Sequence, residues 1–189
     1  MVKRYAIIGC GGRSSFFYNA LAKDYLNTSL LVALCDTNQT RMNVANENLK
    51  SLAYPSAPLP TYKAYDFEKM IDETKPDEVI ITTIDRTHDF YIIKAMELGC
   101  NVITEKPMTI DEVRCQAIID AVNRTGKKIR VTFNYRYAPH NTKVYELLGE
   151  SIFLNTQSTL LLKLNQMLTS PERRGSYRQS DFHPLRMGP

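Results

Sequence analysis

The chain has 189 residues, 43% apolar and 23% charged, which is enough apolar content to bury a core and excludes a wholly disordered polypeptide. A net charge of +4, from 24 basic and 20 acidic side chains, is too small to argue for a nucleic-acid partner. The four cysteines make no C-x-x-C pair and no apolar run nears the roughly 20 residues of a bilayer span, so no zinc cluster, disulfide scaffold or membrane anchor is expected and a reducing, cytoplasmic setting is.

Arg4 to Ile8 reads as a short apolar strand closed by Gly9. Gly9-Cys10-Gly11-Gly12-Arg13-Ser14 follows, a G-x-G-x-x-S pattern one step from the dinucleotide fingerprint. Gly9 suits a tight turn, Gly11 lets a diphosphate approach the backbone, Gly12 is a further cofactor-binding candidate, and Ser14 is small enough for close helix–strand packing. Arg13 either pairs with a phosphate or is a solvated surface charge. Phe17, Leu21 and Tyr25 recur at four-residue spacing, as on one helix face.

Leu30 to Cys35 (LLVALC) is the second strand, and Asp36 closes it. An acid there accepts hydrogen bonds from a ribose and repels a 2′-phosphate, and no basic residue follows before Arg41, so NAD is favoured over NADP. The competing reading is a capping Asp at the start of the next helix. Tyr54 to Pro60 is a Pro-rich loop before a weak third strand near Tyr62 to Ala64.

Glu78 to Thr83 (EVIITT) is the fourth strand, and its exit loop, Ile84-Asp85-Arg86-Thr87-His88, is expected to border a cofactor. Asp85 and His88 are therefore candidates, although a lone His is more often a packed or capping residue. A helix over Asp89 to Leu98 is closed by Gly99. Asn101 to Thr104 is the fifth strand, followed by Glu105-Lys106-Pro107. A lysine at a strand exit either hydrogen-bonds a substrate hydroxyl and acts as acid or base, or is simply exposed.

Thr109-Ile110-Asp111-Glu112 has the form of a capping box. In the helix it opens, Val113, Ala117 and Ala121 recur at four-residue spacing, with Ile118 and Val122 on the adjoining row, and Gly126 closes it. Lys128 to Phe133 is the sixth strand, before the polar and aromatic exit Asn134-Tyr135-Arg136-Tyr137-Ala138-Pro139. Strict alternation predicts an α/β fold, a doubly wound parallel sheet whose ligands bind at the carboxyl ends of the strands. Composition shifts near Glu150: residues 1–150 read as a dinucleotide-binding domain, and 151–189 as an atypical, mobile tail with one helix over Leu160 to Leu168.

Together these residues resemble the Gfo/Idh/MocA family of oxidoreductases. The glycine pattern, Asp36, the run CNVITEKP from Cys100 to Pro107 and the run NYRYAP from Asn134 to Pro139 carry the resemblance, over residues 3–149. It implies an N-terminal Rossmann domain and hydride transfer between a nicotinamide cofactor and a sugar, cyclitol or diol hydroxyl. By the same resemblance Lys106 polarises or deprotonates the hydroxyl, Glu105 helps hold the lysine, and Arg136 touches substrate or cofactor. Family members continue into a second α+β domain with most of the substrate pocket and the usual oligomer interface. The chain is accordingly expected to be truncated before that domain, and to form a homo-oligomer only with it. A catalytically inactive dinucleotide-binding regulator and an NAD-assisted glycosidase are the alternatives.

Overall fold

The computed structural model describes residues 2–133 and 138–151, without the side chains of 147–151. Arg136, the tail and its Leu160 to Leu168 segment lie outside the described residues.

Six strands form one sheet: β1 (Lys3–Ile8), β2 (Ser29–Asp36), β3 (Thr61–Lys63), β4 (Glu78–Ile81), β5 (Asn101–Glu105) and β6 (Ile129–Thr132). Their order is β3-β2-β1-β4-β5-β6, and every neighbouring pair is parallel. Parallel strands need crossovers, and helices supply them: α1 (Ser14–Lys23), α2 (Gln39–Ser51), α3 (Phe67–Thr74), α4 (His88–Glu97) and α5 (Glu112–Thr125). The chain works outward from β1 to β3, returns to the centre for β4, then works outward to β6. The reversal leaves a crevice between the carboxyl ends of β1 and β4, which is where such sheets take ligands.

The near-continuous apolar runs have a simple cause, since both sheet faces are covered. On one face Phe17 and Leu21 of α1 and Met42 and Leu49 of α2 pack on Ile7, Leu34 and Ile80. On the other, Met70 of α3, Ile92 and Met96 of α4 and Ile118 of α5 pack on Ile8, Val79, Ile81 and Val102. Adjacent residues on a strand serve opposite faces, as Ile7 and Ile8 do. In β2 a register shift opposite Tyr5 and Ala6 interrupts that alternation. Leu31 then packs with the first face, and Val32 and Ala33 with the second. Truncating a fully buried side chain such as Leu34 costs roughly 2–5 kcal/mol, lost transfer energy plus the cavity.

Two local expectations change. α1 ends at Lys23, so Tyr25 falls beyond it and is exposed. The N-cap of α5 is Asp111, whose carboxylate accepts the Arg114 N–H, and not Thr109. A carboxylate at the positive end of a helix outcompetes a neutral hydroxyl. Within α5 the buried positions are Ile118 and Ala121, at 1% and 0% exposed, one from each apolar row, whereas Val113 is 75% exposed. Gly99 and Gly126 do close their helices in the left-handed conformation, at φ +89° and +66°. The first compact unit ends at Phe133. Helix α6 (Pro139–Ser151) belongs to the second and starts at Pro139, where a missing N–H costs nothing.

Candidate functional site

The exit of β1 is held open by glycine. Gly9 has φ +90°, and a Cβ there would lie 2.6 Å from the backbone of Thr82 and Thr83 at the end of β4. The bare backbone lets the β1 and β4 exits touch, and the Thr82 hydroxyl donates to the Gly9 carbonyl at 2.6 Å. Gly11 and Gly12 are different: an added Cβ at either would meet nothing within 4 Å. Both border a cleft of about 460 Å³ that also takes in Asp36, Arg41, Thr83 and Tyr91. Ser14 is buried under the loop, its hydroxyl donating to the Gly11 carbonyl at 2.6 Å.

Asp36 is 4% exposed at the end of β2. Its Oδ2 accepts the Cys10 N–H at 2.6 Å and its Oδ1 the Asn38 N–H at 2.8 Å, with the Arg41 guanidinium 3.9 Å from Oδ1. The acid thus ties the glycine loop to the next strand. It does not cap α2; Asn38 does, accepting the Thr40 N–H. Burial first, then the Asp36 charge, pushes the Cys10 and Cys35 thiols up to about 12. Neither supplies a thiolate near neutral pH.

A second cluster lies at the exits of β5 and β6. The Glu105 carboxylate is 6% exposed. Its Oε1 accepts from Arg13 Nε and from the Thr132 hydroxyl at 2.7 Å, and Arg13 Nη2 lies 2.7 Å away. Its Oε2 accepts the Lys106 N–H at 3.3 Å. The Arg13 side chain therefore engages a carboxylate, and its guanidinium sits 4.5 Å from the centroid of the Phe16 ring. Lys106 is exposed beside this bridge and does not line the cleft around Gly11. His88, 1% exposed at the start of α4, has Nδ1 2.8 Å from the Pro107 carbonyl oxygen and Nε2 3.0 Å from that of Thr83. It spans the gap between the cleft and the Glu105-Lys106-Pro107 turn.

The structure thus gathers Gly9, Gly11, Gly12 and Asp36 around one cleft, keeps Ser14 buried beneath the glycine loop, and joins Arg13, Glu105, Lys106 and His88 beside the cleft. Asp85 stands apart: it is exposed on the turn whose neighbours Ile84 and Thr87 reach the cleft. Arg41, Thr82, Thr83 and Tyr91 line the cleft without having been singled out from the sequence. Thr82 and Thr83 read as part of a strand that in fact ends at Ile81. Tyr91, one turn after Thr87, was hidden in an ordinary helical pattern. Among the described residues no group of three metal-ligating side chains occurs, and no helix is long and apolar enough to cross a membrane.

A glycine turn joining β1 to α1, in a parallel sheet of order 3-2-1-4-5-6, defines a doubly wound dinucleotide-binding domain. Residues 3–133 match the Gfo/Idh/MocA oxidoreductase family, characterised by an NAD-binding Rossmann fold, and the chain belongs to that family. YteT of Bacillus subtilis is 31% identical over 145 residues, which is 75% of this chain and 33% of YteT. An alpha-N-acetylgalactosaminidase of Shewanella oneidensis is 27% identical across 99% of this chain and 41% of its own length. Scyllo-inositol dehydrogenase of Lactobacillus casei, solved with bound NAD(H) and scyllo-inositol, shares the fold. Its TM-score is 0.67 at 18% identity, over 79% of this chain and 42% of that one. The chain spans less than half the length of each of these relatives.

Proposed function

We propose that the chain binds NAD along the carboxyl edge of its sheet. In this reading it is the cofactor-binding part of an oxidoreductase acting on a hydroxyl-bearing carbon of a sugar, cyclitol or diol. The observation that carries the reading is the open space over Gly11 and Gly12 beside a buried Asp36. A Cβ at either glycine would project into the space a diphosphate needs, and the positive dipole end of α1 begins at Ser14, directly after the loop. Asp36 accepts the Cys10 N–H at Oδ2 and the Asn38 N–H at Oδ1, and the remaining lone pair on each oxygen is what it would offer to ribose hydroxyls. NAD, when bound, supplies the hydride-accepting ring. Lys106 then holds or takes the substrate hydroxyl proton at Nζ, and Glu105 keeps the lysine's backbone in place. The sugar and polyol class is supported by relatives such as the inositol dehydrogenase.

Calorimetry on the full chain tests this reading. NAD is expected to bind, NADP to bind more weakly, and Asp36→Ala to weaken NAD by roughly 1–3 kcal/mol, as for a lost hydrogen bond to a charged group. No heat of binding with NAD would overturn the proposal. A second reading, NAD-assisted glycoside hydrolysis, has its own support, because the similarity to the Shewanella glycosidase runs over nearly the whole chain. Release of nitrophenol from the α-N-acetylgalactosaminide would favour it. Reduced nicotinamide formed from a polyol panel would favour the oxidoreductase. Turnover of either kind that is lost in Lys106→Ala would exclude a purely regulatory module.

A further inference from the structure

We propose that Arg13 is a positioning residue that couples occupancy of the glycine loop to the placement of Lys106, acting through Glu105. The inference rests on the reading above, in which the loop takes a dinucleotide and Lys106 faces the substrate.

Arg13 sits between Gly12 and Ser14, so its backbone is part of the segment that would close on a diphosphate. Its side chain leaves that segment and ends on a carboxylate 92 positions away in sequence. Among the described residues the donors to Glu105 are the Arg13 guanidinium, the Thr132 hydroxyl and the Lys106 N–H, and of these only Arg13 brings a charge. A carboxylate this buried is costly without a charged partner. The guanidinium directs two N–H groups at one oxygen, so the loop and the carboxylate are tied in orientation as well as in distance. Phe16 and Phe17, with ring centroids 4.5 and 5.8 Å from the guanidinium, seat it from the α1 side.

The other end of the turn is held differently. His88 reaches the Pro107 carbonyl from the buried start of α4, and its far nitrogen rests on the Thr83 carbonyl. Lys106 is thus suspended between a hold that belongs to the sheet and one that belongs to the ligand-binding loop. Closure of the loop moves Arg13, turns the Glu105 carboxylate, and carries the Lys106 amide that donates to it.

The test uses ADP-ribose, which carries the diphosphate but no nicotinamide ring, and the full chain with its lysines dimethylated by ¹³C-formaldehyde. The Lys106 methyl resonance is identified by its absence from Lys106→Ala. On saturation with ADP-ribose it is expected to shift in the unaltered chain, to stay in place in Arg13→Met, and to shift partly in Arg13→Lys. Each variant is read at its own saturation with ADP-ribose, so the comparison is of the Lys106 shift and not of affinity. A full shift in Arg13→Met overturns the proposal, and so does a full shift in Glu105→Gln, a second variant that keeps the test open if Arg13→Met fails to fold. An unaltered chain that binds ADP-ribose with no Lys106 shift also overturns it. Failure of the unaltered chain to bind ADP-ribose at all overturns instead the dinucleotide reading beneath it.

Discussion

The two halves of the site are built by different means. The glycine loop at the β1 exit is shaped by backbone: a left-handed glycine, a strand end that approaches within touching distance, and one acid on the neighbouring strand. The Glu105-Lys106-Pro107 turn is shaped by side chains that arrive from α4, β6 and the glycine loop itself. A backbone site is hard to alter except by adding atoms. A side-chain site loses its shape when a distant partner is removed. Substitutions that add a Cβ should therefore damage the first half, and substitutions that delete a partner should damage the second.

The largest expected effect is at Gly9. Gly9→Ala combines a φ of +90° with a Cβ overlapping the Thr82 backbone, and is expected to cost roughly 3 kcal/mol or more in urea denaturation. Gly12→Ala, whose Cβ meets open space, should change the urea midpoint little while weakening NAD binding in calorimetry. Equal stability losses in the two variants would break the distinction between a glycine that packs and a glycine that admits a ligand.

His88→Leu tests the second half. It leaves the Thr83 and Pro107 carbonyls without their partner and should destabilise the chain by roughly 1–3 kcal/mol. It should also speed hydrogen exchange at the Lys106 amide more than at Cys10, whose N–H is held by Asp36. Faster exchange at both amides alike would mean that the two halves open together.

The buried thiols beside Asp36 give a smaller, pH-dependent effect. Cys10 and Cys35 are raised from 9.0 to about 12 in the fold, so the unfolded chain loses these protons first as pH climbs. Their contribution is complete below pH 9 and is lost as pH rises from 9 to 12. Cys10→Ala should flatten that alkaline decline in a series of urea titrations. The smallest effect is expected at Asp85, exposed and away from the cleft: Asp85→Asn should leave NAD affinity unchanged and stability within about 0.5 kcal/mol. A clear loss of affinity there would extend the site beyond the cleft.

The architecture was legible because its signals are local. Apart from the weak β3, each strand is a short, largely apolar run, and Gly99 and Gly126 stand where left-handed helix ends need them. The phase of α5 was less legible, because two adjoining rows of that helix are both apolar and only contact with the sheet selects Ile118 over Val113. Its cap was misread for a related reason, since Thr109 and Asp111 both suit that role and the turn after Pro107 decides between them. At the site, residue type identified Gly9, Gly11, Asp36 and Lys106 as candidates, but it left open what Arg13 and His88 touch.

What the order of residues determined by itself was the succession of strands and helices, the place of the glycine turn and the chemistry available at each strand end. These follow from hydrophobic period, backbone freedom and side-chain type, all of which act within a few residues. Only the folded sheet decided that Arg13 meets Glu105, that Asp36 holds Cys10 and that His88 joins Thr83 to Pro107. Those contacts depend on which strand exits lie side by side and on which polar groups remain to be satisfied once water is excluded. No local pattern carries that information.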